Sequence, residues 1–355
     1  MMQVFKRGID RYFSNEEALL LLALITAALL VVVWMGPVLA PFLTAVVISY
    51  LLQGSMNMLK RFGLGHLAAT VVVFLLFVGF MLMLLFIILP ATWAQLSQFF
   101  VELPRIASKG QALLMLLPEQ YPELISVEQA HSWVVQIREE LASMGQWALS
   151  FSISGITLVM AMLIYCVLVP ILVFFMLKDA DAIINWCISF LPSQRNLLNE
   201  VWVEMDLQIA NYIRGKVLEI VIVGVATYIA FLFMGLNYAA LLAIGVGLSV
   251  LVPYIGAAVI TVPVALVAYM QWGWGNEFIY LMVIYGVIQA LDGNVLVPLL
   301  FSEVTNLHPV AIIVAVLVFG GMWGFWGVFF AIPLATLFKA VITSWPGHNH
   351  AFGGH

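Results

Sequence analysis

The sequence contains very little charge. Asp, Glu, Lys and Arg make up only 9% of its 355 residues, whereas a soluble domain carries about 25%. Thirteen basic and eighteen acidic side chains are too few to solvate the surface of a soluble protein of 39.3 kDa. The hydrophobic share of 64% and the mean hydropathy of +1.11 therefore predict an integral membrane protein. The net charge of -5 also leaves no basic face for a nucleic acid.

Several chemical signatures are absent as well. The chain has two cysteines, Cys166 inside an apolar run and Cys187 outside one, so no disulfide framework is expected. It lacks a Walker loop, a His-Glu-x-x-His helix and a Gly-x-Ser-x-Gly elbow, which argues against ATP-driven pumping and against an enzyme. The histidines of the C-terminal tail have no partner cluster, so neither a metal site nor a cofactor is expected.

Six apolar runs have the length of membrane-spanning helices, since about 20 apolar residues cross the hydrocarbon core. They cover residues 18–36, 37–53, 67–90, 151–177, 217–234 and 278–300. Only the pair Gly36-Pro37 separates the first two runs, which together predict a helical hairpin. A cleaved signal peptide is the alternative interpretation of the first run, because basic residues precede it. The predicted fold is an all-α polytopic membrane protein with about six spanning helices.

Two further runs, 238–270 and 309–342, are too long for one crossing and too short for two. Both are interrupted near the middle, and they align at an offset of 70 residues, where Pro263 matches Pro333. We therefore predict two re-entrant hairpins, giving seven to eight spans if the hairpins are counted as helices. Their predicted tips are Pro253, Tyr254 and Gly256 in the first, and Gly321, Trp323, Gly324 and Gly327 in the second. The alternative is one long, tilted helix in each run.

The distribution of Lys and Arg predicts the orientation, because positive loops stay in the cytoplasm. Ten of the thirteen basic residues, Lys216 among them, fall on one side of the predicted spans. Both termini are therefore predicted to be cytoplasmic. The predicted domains are N-terminal transmembrane helices (1–90), an external, periplasmic helical segment (91–150), a transmembrane helix (151–177), a cytoplasmic amphipathic helical segment (178–216), a transport core (217–342) and a tail (343–355). In the external segment, Ser126 and Gln129 have the spacing of a helix-capping box.

Asp292 is the only acidic residue well inside a predicted span. An unpaired charge at that depth costs at least ~2.5 kcal/mol, and intramembrane acids are functional by default. We predict that Asp292 is the coupling site of a transporter and that Asn294 supplies a neutral donor or acceptor beside it. Glu219 lies two residues inside its span and is expected to reach interfacial water. The alternative role of Asp292 is structural, as a hydrogen-bond partner of a neighbouring hairpin end.

Six short motifs in the C-terminal half occur in an order and spacing that resemble those of one family. They are residues 235–238 (Gly-Leu-Asn-Tyr), 252–256 (Val-Pro-Tyr-Ile-Gly), 292–298 (Asp-Gly-Asn-Val-Leu-Val-Pro), 307–309 (Leu-His-Pro), the glycines at 320, 321, 324 and 327, and 332–335 (Ile-Pro-Leu-Ala). Over residues 211–339 the chain resembles the autoinducer-2 exporter family of bacterial permeases. The N-terminal half fits the layout of that family without distinctive motifs.

The resemblance implies a multispan permease of the bacterial inner membrane, with two opposed re-entrant hairpins and a homo-oligomeric, pentameric assembly. It adds supporting site residues, which are Asn237, Pro298, His308, Pro309 and Pro333. The implied solute is an autoinducer-2-like signal, and members of the family are also linked to sodium or proton exchange.

Three functions fit these observations. The first is secondary active efflux of a small polar solute coupled to H⁺ or Na⁺, since broken helices and a buried carboxylate occur without a nucleotide site. The second is a cation/proton antiporter without an organic substrate, which would use the same Asp292. The third is a membrane scaffold whose external segment recruits envelope partners, and this hypothesis leaves Asp292 and the hairpin glycines unexplained.

Overall fold

The computed structural model describes residues 16–120, 126–129, 131–136, 139, 155–191, 196–253, 255–301 and 307–344. Throughout these residues the regular structure is helical and contains no strand, which confirms the all-α prediction. Five of the helices are long and apolar enough to cross a membrane, or six when one bent pair counts as a span. Four of the predicted runs lie in the five helices and a fifth lies in the bent pair, whereas the run 18–36 is represented by a shorter apolar helix, Leu20–Gly36. The fifth long helix, Ile255–Trp272, falls in a run predicted to be a re-entrant hairpin.

Thirteen helices are named here in chain order. The first six are α1 (Glu16–Arg61), α2 (His66–Met83), α3 (Leu89–Gln120), α4 (Gly155–Lys178), α5 (Ala180–Ser189) and α6 (Asn196–Met234). The others are α7 (Ala239–Ser249), α8 (Ile255–Trp272), α9 (Asn276–Leu291), α10 (Val297–Phe301), α11 (Pro309–Trp323), α12 (Phe325–Phe329) and α13 (Ala331–Ser344). One π-helical turn, Leu84–Ile88, joins α2 to α3, and another, Asp292–Leu296, joins α9 to α10.

The first predicted pair of spans forms one helix, α1, rather than two helices joined by a loop. Near its start, Leu21 packs in a cluster with Met205 of α6, and near its end the Tyr50 hydroxyl donates to Asp206 of α6. A straight helix from Leu21 to Tyr50 would be about 43 Å long. Because both residues reach the same stretch of α6, α1 must be strongly bent between them. The pair Gly36-Pro37 lies in that stretch, and sharp helix kinks usually occur at proline.

The second span continues beyond the predicted boundary at residue 90. Through the π-helical turn, α2 and α3 carry helical structure from His66 to Gln120. The capping box predicted further along is confirmed, because the Ser126 amide donates to Gln129 Oε1 at 3.1 Å and the Gln129 amide donates to Ser126 Oγ at 3.2 Å. The helices of the N-terminal half thus enter the segment predicted to be external without an intervening loop.

Helix α6 is the central helix of the C-terminal half. It has 39 residues and runs without interruption through the predicted boundary between residues 216 and 217. Hairpin 1, formed by α7 and α8, packs along the C-terminal half of α6. The backbones of α6 and α7 are close together at Gly224 and Gly247, because a Cβ added to Gly247 would lie 3.2 Å from the Gly224 Cα. Close approach at small residues is typical of helix pairs in membranes.

Hairpin 2, formed by α11, α12 and α13, packs along the N-terminal half of α6. Its end, at Ala340, lies in a cluster with Met205, and its break, at Phe329, contacts Tyr212. Hairpin 1 is oriented the other way along α6. Its break contacts Lys216, and its base lies in the cluster that contains Phe231. The two hairpins therefore approach the centre of α6 from opposite ends.

The first arms of the hairpins are short. Helix α7 has 11 residues and α11 has 15, which correspond to about 16 Å and about 22 Å, less than a hydrocarbon core of about 30 Å. The second arm of hairpin 1, α8, has 18 residues and is long and apolar enough to cross a membrane. The breaks of both hairpins lie beside α6.

Candidate functional site

A buried ion pair lies in the middle of α6. Lys216 Nζ is 2.7 Å from Glu219 Oε2, and the two residues are only 4% and 2% exposed. The expectation that Glu219 reaches interfacial water is therefore wrong, because the protein encloses its carboxylate and Lys216 compensates its charge. Lys216 is one of the ten basic residues from which the orientation is predicted, and the protein encloses it rather than exposing it in a loop.

Lys216 also holds the tip of hairpin 1. Its ammonium donates a second hydrogen bond, of 2.7 Å, to the carbonyl oxygen of Val250, at the C-terminal end of α7. Carbonyls at a helix end lack an intrahelical partner, so a buried donor is needed at this point. The ring of Phe301 covers the site, with its centroid 5.3 Å from the ammonium. Gly215 leaves room for this ring, since a Cβ there would come within 2.8 Å of it.

Asp292 completes the cluster from another helix. It begins the π-helical turn after α9 and interacts electrostatically with both Lys216 and Glu219. Its Oδ1 atom is buried and has no hydrogen-bond partner among the described residues. With every group ionised, one positive and two negative charges leave the cluster with a net charge of about −1. Asp292 contributes the buried carboxylate oxygen of this cluster to which no described residue donates a hydrogen bond.

Asn294 is not drawn into this cluster. Its side chain is exposed, and its Nδ2 donates a 2.8 Å hydrogen bond to the carbonyl oxygen of Ala290. A π-helical turn interrupts the regular hydrogen-bond ladder, and the amide of Asn294 satisfies a carbonyl beside that interruption. The structure therefore uses Asn294 to support the turn that carries Asp292.

At both hairpin tips a glycine packs against a backbone carbonyl in the same way. A Cβ on Gly256 would lie 1.8 Å from the carbonyl oxygen of Ser249, and a Cβ on Gly327 would lie 1.8 Å from that of Phe319. These glycines are 71 residues apart and the two carbonyls are 70 apart, which matches the repeat seen in the sequence. At the second tip, Gly324 also adopts a φ of 58°, in the left-handed region that favours glycine.

The tips of the two hairpins contact each other. Trp323 packs in a cluster with Val252, which lies at the break of hairpin 1. Its ring stacks on Phe319, with centroids 5.9 Å apart and an interplanar angle of 22°. In the part of the chain that the structure describes, the buried indole nitrogen of Trp323 has no hydrogen-bond partner. Tyr254, the other aromatic residue predicted at a tip, lies outside the described residues.

A second residue of α6 holds hairpin 2 in the way that Lys216 holds hairpin 1. The hydroxyl of Tyr212, 1% exposed, donates a 2.9 Å hydrogen bond to the carbonyl oxygen of Phe329, at the end of α12. Sequence reasoning missed both residues. The signal was present in the spacing, because Tyr212 and Lys216 are four residues apart and Glu219 follows three later, so all three share one face of the helix.

The remaining predicted residues lie at helix ends and turns. His308 is the N-cap of α11, where its Nδ1 accepts from the Val310 amide at 3.3 Å, and Pro309 occupies the first helical position. The Asn237 amide donates to Gln271 Oε1 at 2.8 Å, beside the base of hairpin 1. The others are Pro253 in the turn of hairpin 1, Pro298 exposed on α10, Gly321 in α11 with open space around its Cα, and Pro333 buried in α13.

A series of side-chain hydrogen bonds, which the sequence did not reveal, joins α9 to hairpin 1. Gln289 Nε2 donates to the Tyr285 hydroxyl at 3.1 Å, and this hydroxyl lies 3.0 Å from Thr261 Oγ1. Thr261 in turn donates to the carbonyl of Ala257 at 2.6 Å, so Tyr285 is the donor to Thr261. These hydrogen bonds therefore run from one turn before Asp292 to the first turn of α8. Within the described part of the chain, no group of three or more His, Cys, Asp or Glu residues could hold a metal ion.

The chain is similar to known transport proteins over most of its length. Residues 19–347 match the family model described as AI-2E family transporter. PerM of Escherichia coli strain K12, a protein named as a permease, is 44% identical over 98% of both chains. YueF and YrrI of Bacillus subtilis strain 168, both named as transport proteins, are each 25% identical, over 87% and 85% of this chain and 84% and 85% of their own. The chain belongs to the AI-2E transporter family.

Proposed function

We propose that this transporter is a secondary active permease that exports a small polar solute in exchange for H⁺ or Na⁺, with Asp292 as the coupling residue. The proposal depends on one observation, that a single cation, Lys216, faces two acids, Glu219 and Asp292, so that the cluster has a net charge of about −1 when all three groups are ionised. An uncompensated charge in the membrane interior is costly. Binding a single cation at Asp292 removes that cost, and releasing the cation restores it. A transport cycle that exposes the cluster to each side in turn can therefore be driven by a cation gradient.

The position of the cluster supports this role. Lys216 bonds the tip of hairpin 1, and Tyr212, one turn away, bonds the tip of hairpin 2. Broken helices that meet near the bilayer midplane are typical of the binding sites of secondary transporters. Glu219 is already bonded to Lys216 at 2.7 Å, so Asp292, with its unpartnered oxygen, is the carboxylate available to a cation.

The same cluster would also serve a cation/proton antiporter that carries no organic substrate. The two functions differ in what accompanies the cation. An autoinducer-2-like signal is the first solute to test for the exporter. In either case we propose a location in the bacterial inner membrane with both termini in the cytoplasm, and a homo-oligomeric, pentameric assembly.

Flux measurements in proteoliposomes test the proposal. The purified protein is reconstituted with an internal pH dye, and H⁺ or Na⁺ gradients are applied with and without a panel of solutes that includes autoinducer-2. We expect cation-dependent flux from the wild type and none above empty liposomes from Asp292→Asn. Glu277→Gln is the matched control, because Glu277 is an exposed acid at the start of the same helix.

Each outcome has a separate meaning. Asp292→Asn with the flux and pH dependence of the wild type would show that Asp292 is structural. Solute-independent exchange of H⁺ for Na⁺ would indicate the antiporter. A wild-type protein without flux under any gradient would indicate the scaffold.

A further inference from the structure

Helix α5 leaves the membrane-spanning helix α4 at a right angle. Only Asp179 separates the two helices, and the axis of α5 is turned by 83° from that of α4. Helix α4 has 24 residues, about 36 Å, which already exceeds the hydrocarbon thickness of about 30 Å. The crossing therefore does not need α5. A helix perpendicular to a span, at the end of that span, lies parallel to the membrane plane.

The side chains of α5 are sorted into two faces. Its polar residues, Asp181, Asn185 and Ser189, recur every four positions and so form one narrow stripe. The rest of the circumference is apolar, and it includes the large residues Ile183, Ile184, Trp186, Cys187 and Ile188, followed by Phe190. Trp186 and Phe190 form an edge-to-face pair with centroids 4.9 Å apart.

This apolar face is uncovered in the described part of the chain. No residue of α5 is buried, and Trp186 and Phe190 are 65% and 71% exposed. A tryptophan with an adjacent phenylalanine, on a short amphipathic helix parallel to the membrane, is typical of an interfacial segment. Removing apolar surface from water is favourable, so the headgroup boundary is a better environment for this face than water.

We propose that α5 is a membrane-surface anchor whose apolar face, from Ile183 to Phe190, is embedded at the boundary between headgroups and acyl chains. Its partner is the lipid bilayer, and the attraction is apolar rather than electrostatic. The neighbouring charges are Lys178, Asp179 and Asp181, and Lys178 is 3.7 Å from Asp179. Their sum is −1, so anionic lipids offer no additional attraction. The anchor fixes the end of α4 that leads toward α6, the helix carrying Lys216 and Glu219.

The depth of Cys187 tests this proposal without reference to transport. Cys187 lies on the apolar face and is exposed, and Cys166→Ala makes it the single thiol of the full-length protein. An NBD fluorophore on Cys187 is compared, in phosphatidylcholine vesicles, with one at Asn185→Cys in a Cys166→Ala/Cys187→Ala background. Iodide reports exposure to water, and a nitroxide on the lipid acyl chain reports contact with the membrane.

We expect the fluorophore on Cys187 to be quenched by the lipid nitroxide and several-fold less by iodide than the fluorophore at residue 185. Adding phosphatidylglycerol should change neither value. Trp186→Ser together with Phe190→Ser should increase quenching by iodide. Equal iodide quenching at the two positions would overturn the proposal, because α5 would then lie in water. Protection of Cys187 from both quenchers would also overturn it, since a second copy of the chain or another segment would then cover the face.

Discussion

Tyr212 and Lys216 are one turn apart on α6, and each donates a hydrogen bond to a backbone carbonyl at the break of a different hairpin. The bonds measure 2.9 Å to Phe329 and 2.7 Å to Val250. Because both donors lie on one continuous helix, α6 holds the tips of both hairpins. These two side chains therefore contribute to the relative position of the hairpins, and each can be tested separately.

Removing the donor to hairpin 2 should destabilise the protein. Tyr212→Phe keeps the ring but leaves the buried carbonyl of Phe329 without this partner, which costs about 1–3 kcal/mol. We expect a lower midpoint of thermal denaturation in detergent. Tyr228→Phe is the control on the same helix, because Tyr228 is 40% exposed. Equal midpoints for the two variants would contradict a structural role of this hydrogen bond.

Removing the ammonium of the buried pair should have a larger effect. Lys216→Met leaves the Glu219 carboxylate buried without its cation, which costs about 3–5 kcal/mol. Lys178→Met, which removes an exposed pair, should cost about 1 kcal/mol or less. The double variant Lys216→Met/Glu219→Leu removes both charges and should recover much of the lost stability. If the double variant denatures at the temperature of Lys216→Met alone, the loss does not come from the unpaired carboxylate.

Small side chains at the hairpin tips should not be tolerated. Gly256→Ala and Gly327→Ala each place a methyl group 1.8 Å from a backbone carbonyl oxygen, so the tip must move. Overpacking of this kind costs about 1–3 kcal/mol, and flux should fall with it. Gly286→Ala is the control, because nothing lies within 4 Å of its added Cβ. The prediction fails if all three variants express, assemble and transport equally.

The hydroxyl of Tyr285 should contribute to stability through its two polar neighbours. Tyr285→Phe removes the group that joins Gln289 to Thr261, which corresponds to about 0.5–1.5 kcal/mol for each net hydrogen bond. The denaturation midpoint should fall, and the loss should be smaller in a Thr261→Val background, where one partner is already absent. Tyr280→Phe, on the exposed side of the same helix at 60% exposure, should leave the midpoint unchanged.

The predicted orientation is open to labelling in intact cells. With both native cysteines replaced by alanine, Val127→Cys should react with a membrane-impermeant maleimide, and Glu200→Cys should react only after permeabilisation. Both side chains are exposed, so accessibility within the fold does not limit the reaction. The reverse pattern would invert the topology derived from the Lys and Arg distribution.

The helical class, the spans and the broken hairpins were predictable because each has a local signal. Runs of about 20 apolar residues mark the spans, and the Gly- and Pro-rich interruptions at Pro253 and Gly324 mark the breaks. The charge cluster had no comparable signal. Lys216 was counted with the cytoplasmic basic residues, and only the three-dimensional packing shows that α7 and Phe301 enclose it.

Helix α1 gives a second example of contacts that have no local signal in the sequence. The pair Gly36-Pro37 lies in the stretch that bends, but the helix is continuous through it. The partners that hold the two halves, Met205 and Asp206, are more than 150 residues away in the sequence. No pattern within α1 could have identified them.

Hairpin 1 has a left-handed glycine at each of its ends, Gly235 with a φ of 69° and Gly273 with a φ of 65°, and a Cβ on either would meet nothing within 4 Å. Gln271 joins these two ends, since its side chain donates to the carbonyl of Gly235 and accepts from the Asn237 amide. At the tip, by contrast, the backbone of Gly256 lies so close to Ser249 that any Cβ would overlap its carbonyl oxygen. The base of hairpin 1 therefore combines a permissive backbone with two side-chain hydrogen bonds, whereas the tip, where Lys216 holds the carbonyl of Val250, has no room for a side chain at Gly256.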